Sequence, residues 1–147
     1  MVKSGGKLIG EYSHSVDTKK RVFIPVDFRI TKTWIVTAGL EKCLFLFPDN
    51  EWEKITEGIK NLPLTKKDAR SFVRILLSRA RILACDNQGR ILLPDKLIEY
   101  AQIKRSCTVI GMLNRIEFWN PKKWNEYFQK SEKNYSELAE NITELDF

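Results

Sequence analysis

The chain of 147 residues is poor in the groups on which most catalytic and metal chemistry rests. It has one histidine, His14, and three cysteines, Cys43, Cys85 and Cys107, set far apart inside apolar runs with no C-x-x-C pair. Such spacing argues against a disulfide framework or a zinc site and reads as reduced core thiols in a reducing compartment. Nowhere do potential ligands recur at metal-binding spacing, so no metal or other cofactor is expected. A triad could be drawn from Ser13, Ser15, His14 and Asp17, but no nucleophile elbow accompanies it. Glu11 and Asp17 could serve as an acid and a base, yet nothing marks a pocket for them. His14 is therefore read as a surface or turn residue, and no catalytic residue is assigned. No apolar run approaches the ~18 residues of a membrane span. The opening "MVKSGGKLIGEY" lacks the apolar core of a signal peptide, so a cytoplasmic location is expected.

What the sequence does have is positive charge, unevenly spread. The net charge is +6, yet residues 125–147 hold two lysines against six acids. The preceding 124 residues then carry 23 basic and 13 acidic groups. A basic body with an acidic tail points to a polyanionic partner for the body and a separate task for the tail.

It also has an internal repeat. "VDTKKRVFIPVDF" (16–28) and "CDNQGRILLPDKL" (85–97) share one grammar at an offset of 69, which aligns Asp17 with Asp86, Arg21 with Arg90 and Pro25 with Pro94. Further on, "AGLEKCLFLFPDNEWEKI" (38–55) answers "IGMLNRIEFWNPKKWNEY" (110–127) at an offset of 72, aligning Gly39 with Gly111 and Trp52 with Trp124. Each copy reads as strand, polar turn, strand, short helix, strand, tight turn, strand, helix. The strands are predicted from apolar runs such as Ile82–Ala84, Ile91–Leu93, Thr108–Ile110 and Ile116–Trp119, bounded by turn formers. Because these runs are nearly continuous, both faces are expected to be covered, as in a barrel or interdigitated sheets. A copy of some forty residues buries too little apolar surface alone, so the two are expected to pack with approximate two-fold symmetry.

Three helices are signalled. One runs from a cap at Asp49 or Asn50 to Asn61. The next follows a capping-box pattern at Thr65 and Asp68, with Ala69, Phe72, Val73, Leu76, Leu77 and Ala80 on one stripe. It should pack between the copies. The third begins at Asn120–Pro121 and carries a heptad seam of Trp124, Phe128, Ser131, Tyr135, Leu138, Ile142 and Leu145, suited to its own domain or to a subunit contact. The tryptophans and Phe45, Phe47, Phe118 and Phe128 sit at repeated strand and helix positions, which favours core packing over base stacking. Arg70, Arg74, Arg79 and Arg81 are read as serving structure and assembly.

In the second turn the Asp86 carboxylate can accept backbone N–H groups and Gly89 can take positive φ, which stiffens the bend that delivers Arg90. A guanidinium so held suits a phosphate or the O6/N7 edge of guanine. Lys19, Lys20 and Gln88 flank the arginines with further donors. The plainer account of any lone D-x-x-x-R is an internal salt bridge.

The sequence closely resembles the MraZ family of bacterial transcription factors of the division and cell wall gene cluster, related in fold to AbrB and MazE. The likeness is carried by "GEYSHSVDTKKRVFIP" (10–25), "LPLTKKDAR" (62–70), "DNQGRILLP" (86–94) and "IGMLNRIEFW" (110–119). It implies an α+β fold, an internally duplicated AbrB-like swapped-hairpin β-barrel with packed helices. It also implies a sequence-specific regulator that binds repeated promoter boxes in double-stranded DNA, associates with the nucleoid and assembles as a homo-oligomeric ring. On that resemblance Asp17 and Asp86 shape the loops, Arg21 and Arg90 contact DNA, and Lys19, Lys20, Gln88 and Gly89 complete the interface. One departure stands out: Lys20 occupies the place that Gly89 fills in the second copy, so the first loop is expected to differ in shape. The expected organisation is a disordered extension over 1–7, repeats over 8–53 and 80–124, a connecting helical segment over 54–79, and an acidic helix over 125–147. The rival reading is a non-enzymatic structural or adaptor oligomer for a protein or RNA partner. An enzyme acting on nucleic acid or nucleotides comes a distant third.

Overall fold

The structure, a computed structural model, describes residues 5–146. Part of the expected N-terminal extension, residues 1–4, lies outside that range; Gly5 and Gly6 form an exposed turn that leads into the first strand. The first copy comprises β1 (Ile9–Ser15), β2 (Arg21–Phe23), β3 (Thr33–Ala38) and β4 (Leu44–Pro48), then α1 (Asp49–Lys60) and α2 (Lys67–Arg79). The second comprises β5 (Arg81–Ala84), β6 (Arg90–Leu92), α3 (Asp95–Ala101), β7 (Ser106–Met112) and β8 (Ile116–Trp119), then α4 (Pro121–Glu132) and α5 (Tyr135–Glu140). The mixed α+β character and the duplication read from the sequence are both present.

A six-stranded antiparallel sheet runs β1-β7-β8-β4-β3-β5, and β2 and β6 form a separate ribbon. The pairings interleave the copies. β1 pairs with β7 of the second copy, and β5 pairs with β3 of the first. Equivalent strands meet each other twice. Val22 faces Ile91 in the ribbon and Phe45 faces Glu117 between β4 and β8, so a pseudo-two-fold axis passes through both pairs. The ribbon lies against the sheet's edge strands β1 and β5.

The four central strands are rich in β-branched and aromatic residues and are buried almost throughout, as nearly continuous apolar runs require. Edge strands β1 and β5 keep largely exposed faces instead, because only the ribbon and loops cover them. Trp34, Phe28, Phe118, Leu46, Ile91 and Ile116 are fully buried in one core shared by both copies. Each such side chain contributes about 1.5–3 kcal/mol of burial. Phe47 and Trp119 are also buried, so most of the aromatic positions serve packing. Glu117, 6% exposed, accepts from two guanidinium nitrogens of Arg115 at 3.0 and 2.8 Å and from the Trp119 indole N–H at 3.1 Å, which satisfies a buried carboxylate.

Several local expectations need correction. The first copy has no short α-helix where the second has α3; it makes a single 3-10 turn at Val26–Phe28. The second copy spends four more residues here, and the offset grows from 69 to 73 in β3 and β7, whose registers pair Ser15 with Ser106 and Ala84 with Thr33. Structurally, then, Gly111 is equivalent to Ala38 and not to Gly39. The β3–β4 turn has one residue more, which restores an offset of 72 in β4 and β8. Each glycine answers a separate local constraint: a Cβ on Gly39 would lie 2.7 Å from the Phe45 ring, and one on Gly111 would lie 2.5 Å from the backbone of Leu8 and Ile9.

The helix starts differ as well. Pro48 precedes α1 without a side-chain cap, and Asp49 is its first residue. No capping box forms at Thr65, because α2 begins at Lys67; the Arg70 guanidinium instead binds the carbonyls of Leu64 and Thr65. The α2 stripe buries only Leu76, whose carbonyl accepts the Thr37 hydroxyl at 2.6 Å, while Phe72 and Leu77 stay exposed. Asn120 does cap α4, accepting the Lys123 N–H at 3.1 Å. The heptad seam is not continuous, since the helix breaks at Lys133–Asn134 and α5 stops at Glu140.

Gly111→Ala is expected to lower stability by about 1–3 kcal/mol, because backbone and not a flexible side chain must move. Gly58→Ala, in α1 with nothing within 4 Å of an added Cβ, is expected to raise it by about 0.5–1 kcal/mol. Urea denaturation of both variants checks this; equal effects would refute the close approach at Gly111.

Candidate nucleic-acid interface

The ribbon of β2 and β6 gathers the paired turns predicted from sequence. Strand alternation sends Val22 and Ile91 inward, both fully buried. Arg21 and Phe23 therefore point outward from one strand, Arg90 and Leu92 from the other, with Arg21 opposite Leu92 and Phe23 opposite Arg90. Phe23 and Leu92 are 38% and 57% exposed, which is unusual for apolar residues set beside two arginines.

The two turns are built alike. One oxygen of Asp17 accepts the backbone N–H of Lys19 and of Arg21, both at 2.9 Å, and the other accepts Arg21 Nε at 2.7 Å. In the second copy one oxygen of Asp86 accepts the N–H of Gln88 and of Arg90, both at 2.9 Å, and the other accepts Arg90 Nε at 2.7 Å. Backbone bonds repeat too: Lys20 N–H to Asp17 O at 3.0 Å, Gly89 N–H to Asp86 O at 3.0 Å. The copies then tie each other down, Ile24 N–H binding Gly89 O at 2.8 Å and Leu93 N–H binding Lys20 O at 2.9 Å.

The salt bridge and the outward presentation turn out to be one arrangement. Each aspartate takes only the Nε edge of its arginine, and the Arg21 and Arg90 side chains remain 29% and 21% exposed. Among the described residues the terminal nitrogens of Arg21 take no hydrogen bond, and the nearest acid to Arg90 NH1 besides its own is Asp17, at 4.0 Å. Both aspartates are held below the ordinary carboxylate range, first by the backbone N–H of the arginine, with the guanidinium and the intervening amide adding to it and partial desolvation opposing.

The expected difference in loop shape is not found. Lys20 takes φ +65°, the same region as Gly89 at +81°. Three donors converging on Asp17 impose the conformation, although a lysine there costs about 1–2 kcal/mol. The two positions differ in what surrounds them. The Lys20 ammonium reaches Asp95 of the other copy. Over Gly89 lies the guanidinium of Arg29, so that an added Cβ would fall 2.4 Å from its Cζ. Arg29 also donates to Ile24 O at 2.8 Å and, after burial itself, helps to hold His14 below the ordinary imidazole range. His14 lies on β1, half-buried, 6.2 Å from Phe23.

All eight predicted site residues thus fall in or beside the ribbon: Asp17, Lys19, Lys20 and Arg21 at one end, Asp86, Gln88, Gly89 and Arg90 at the other. Sequence reasoning missed Phe23, Leu92 and Arg29. Alternation about Val22 and Ile91 would have exposed the first two; nothing local marked Arg29, which arrives through tertiary packing. Among the described residues no group of three or more His, Cys, Asp or Glu is placed to hold a metal ion. Nor is any described helix long and apolar enough to cross a membrane. Cys43 and Cys107 are buried free thiols, pushed up by burial, and Cys85 is half-buried.

Fold and site together define a class: an internally duplicated α+β protein whose copies share one core and expose a two-stranded ribbon with two aspartate-pinned arginines. The chain belongs to the MraZ family, whose model matches residues 8–75 and again 76–146. That family is described as the MraZ protein and likened to antitoxins, a regulator-like role in coarse terms.

Two outcomes follow from the turns. The depressed Asp17 and Asp86 stabilise the folded loops above an ordinary unfolded carboxyl pKa near ~3.9, and that contribution is lost as pH falls through the lower folded values. Carboxyl NMR should show both titrating below the ordinary aspartate value, with exchange protection of the Arg21 and Arg90 amides lost in the same window. Lys20→Gly should raise stability by about 1 kcal/mol in denaturation, since the relieved backbone strain exceeds an exposed ion pair; a loss would mean that the Asp95 contact dominates.

Proposed function

We propose that the protein is a sequence-selective regulator that reads double-stranded DNA with the β2–β6 ribbon. The observation that carries this is the pair of arginines held at equivalent places on one face of the ribbon, each bound by the aspartate of its own turn through Nε alone. An antiparallel ribbon fits the major groove, where a guanidinium can bind guanine O6 and N7 and an apolar side chain can meet a thymine methyl. The turn carboxylates fix where the arginines stand, so little side-chain entropy is lost on binding. The basic body supplies the attraction to phosphate.

The finer reading extends the family resemblance. The exchange of β1 and β5 between copies supports a swapped-hairpin barrel of the AbrB type. Repeated promoter boxes of the division and cell wall gene cluster are the expected targets, met by a ring of subunits in the nucleoid. Assembly is supported by apolar faces left open: Phe72, Ile75 and Leu77 on α2, and Phe128, Tyr135 and Leu138 on α4 and α5, are each more than 40% exposed. Several weak contacts joined in one assembly raise the effective concentration of each later one. Those same faces favour the rival, a structural or adaptor oligomer for a protein or RNA partner, and DNA binding separates the two.

Arg21→Ala and Arg90→Ala should each weaken binding to promoter repeats by about 1–3 kcal/mol and reduce preference over scrambled duplex, with folding and assembly intact. Fluorescence anisotropy across a salt series checks this beside size-exclusion chromatography. Unchanged affinity in both variants would reject the reading; unfolding would reassign the arginines to structure.

A further inference from the structure

The arginine ribbon is flanked by two grooves that the duplication relates. One, of about 380 Å³, is lined by Thr31, Lys32 and Asp86; the other, of about 360 Å³, by Lys104, Arg105 and Asp17. The offset of 69 carries Asp17 to Asp86, and the offset of 73 carries Thr31 and Lys32 to Lys104 and Arg105. The same surface is therefore built twice.

Each groove is set by the same hydrogen bond. Cys85 N–H donates to Lys32 O at 2.7 Å, and Val16 N–H donates to Arg105 O at 2.9 Å. Those bonds tie the residue before each turn aspartate to a basic residue, so the backbone that carries the cation is held beside the turn. Lys32, Lys104 and Arg105 are exposed, and among the described residues none of them joins an ion pair. Asp17 and Asp86, which line the grooves, already face a guanidinium and two amides each, so their charge is compensated.

We propose that the two grooves take the backbone phosphates of duplex DNA, one groove for each strand, with Lys32 and Arg105 as the paired cationic ligands and Lys104 beside Arg105. The proposal rests on the ribbon reading. A ribbon lying in the major groove has a phosphate wall on either side, and cations displaced outward from both of its ends meet both walls. Such contacts fix the register of the ribbon and carry no sequence information themselves. The duplex backbone has its own two-fold symmetry, which the paired grooves match.

The test uses the full chain with Lys32→Ala, Arg105→Ala and the double variant, on repeat-containing and scrambled duplex across a salt series. Both side chains are exposed, so folding should be unaffected. Affinity is expected to fall in equal proportion on the two duplexes, and the salt slope to drop by about one for each cation removed. An unchanged slope and affinity would overturn the proposal, and so would a change confined to the preference between duplexes. Arg21→Ala with Arg90→Ala, run in parallel, tells the failures apart. If those variants bind normally the ribbon reading falls, whereas if they bind weakly while Lys32→Ala and Arg105→Ala do not, only the grooves fall.

Discussion

Each copy hands its first strand to the other, and everything else follows from that exchange. A unit of some forty residues with four short strands cannot bury both faces of its own sheet. Pairing β1 with β7 and β5 with β3 makes one core from two insufficient ones. It also leaves the second strands, β2 and β6, with only each other to pair with. The ribbon is thus a consequence of the exchange, and its place on the pseudo-two-fold axis brings two distant turns to one surface.

At that surface one carboxylate does two things. It closes the turn through backbone amides and it orients an arginine by the Nε edge alone. A bidentate bridge would have engaged a terminal nitrogen as well; this one uses the Nε edge alone while fixing the chain that carries the arginine. The same restraint explains how Lys20 holds a left-handed conformation that glycine adopts freely. Its strain is local and is outweighed by bonds that would all be lost if the loop relaxed.

Symmetry ends where packing no longer demands it. Trp34 and Cys107 occupy equivalent places in β3 and β7, and the second copy adds α3 where the first makes a single turn. The outer helices bury little: α1, α4 and α5 have no buried residue and α2 has one. Amphipathic helices whose apolar sides remain open in this way add little to the shared core.

Much of this was legible in the chain. The repeat, the central strands, the cap at Asn120, the burial of Cys43 and Cys107 (though not of Cys85, which is half-buried) and the aspartate–arginine turns are local patterns, set by alternation, turn chemistry and spacing that neighbouring residues impose on one another. Gly39 and Gly111 looked equivalent because sequence alignment cannot see which residue absorbs an insertion; strand register decides it. Whether Asp17 and Asp86 would hide or present their arginines, which face Phe23 and Leu92 would take beside them, that Arg29 would cover Gly89, and that Lys32 and Arg105 would flank the ribbon at matched positions were matters for the tertiary structure alone. They depend on contacts between residues dozens of positions apart, created only when two copies exchange strands across an axis that no stretch of sequence contains.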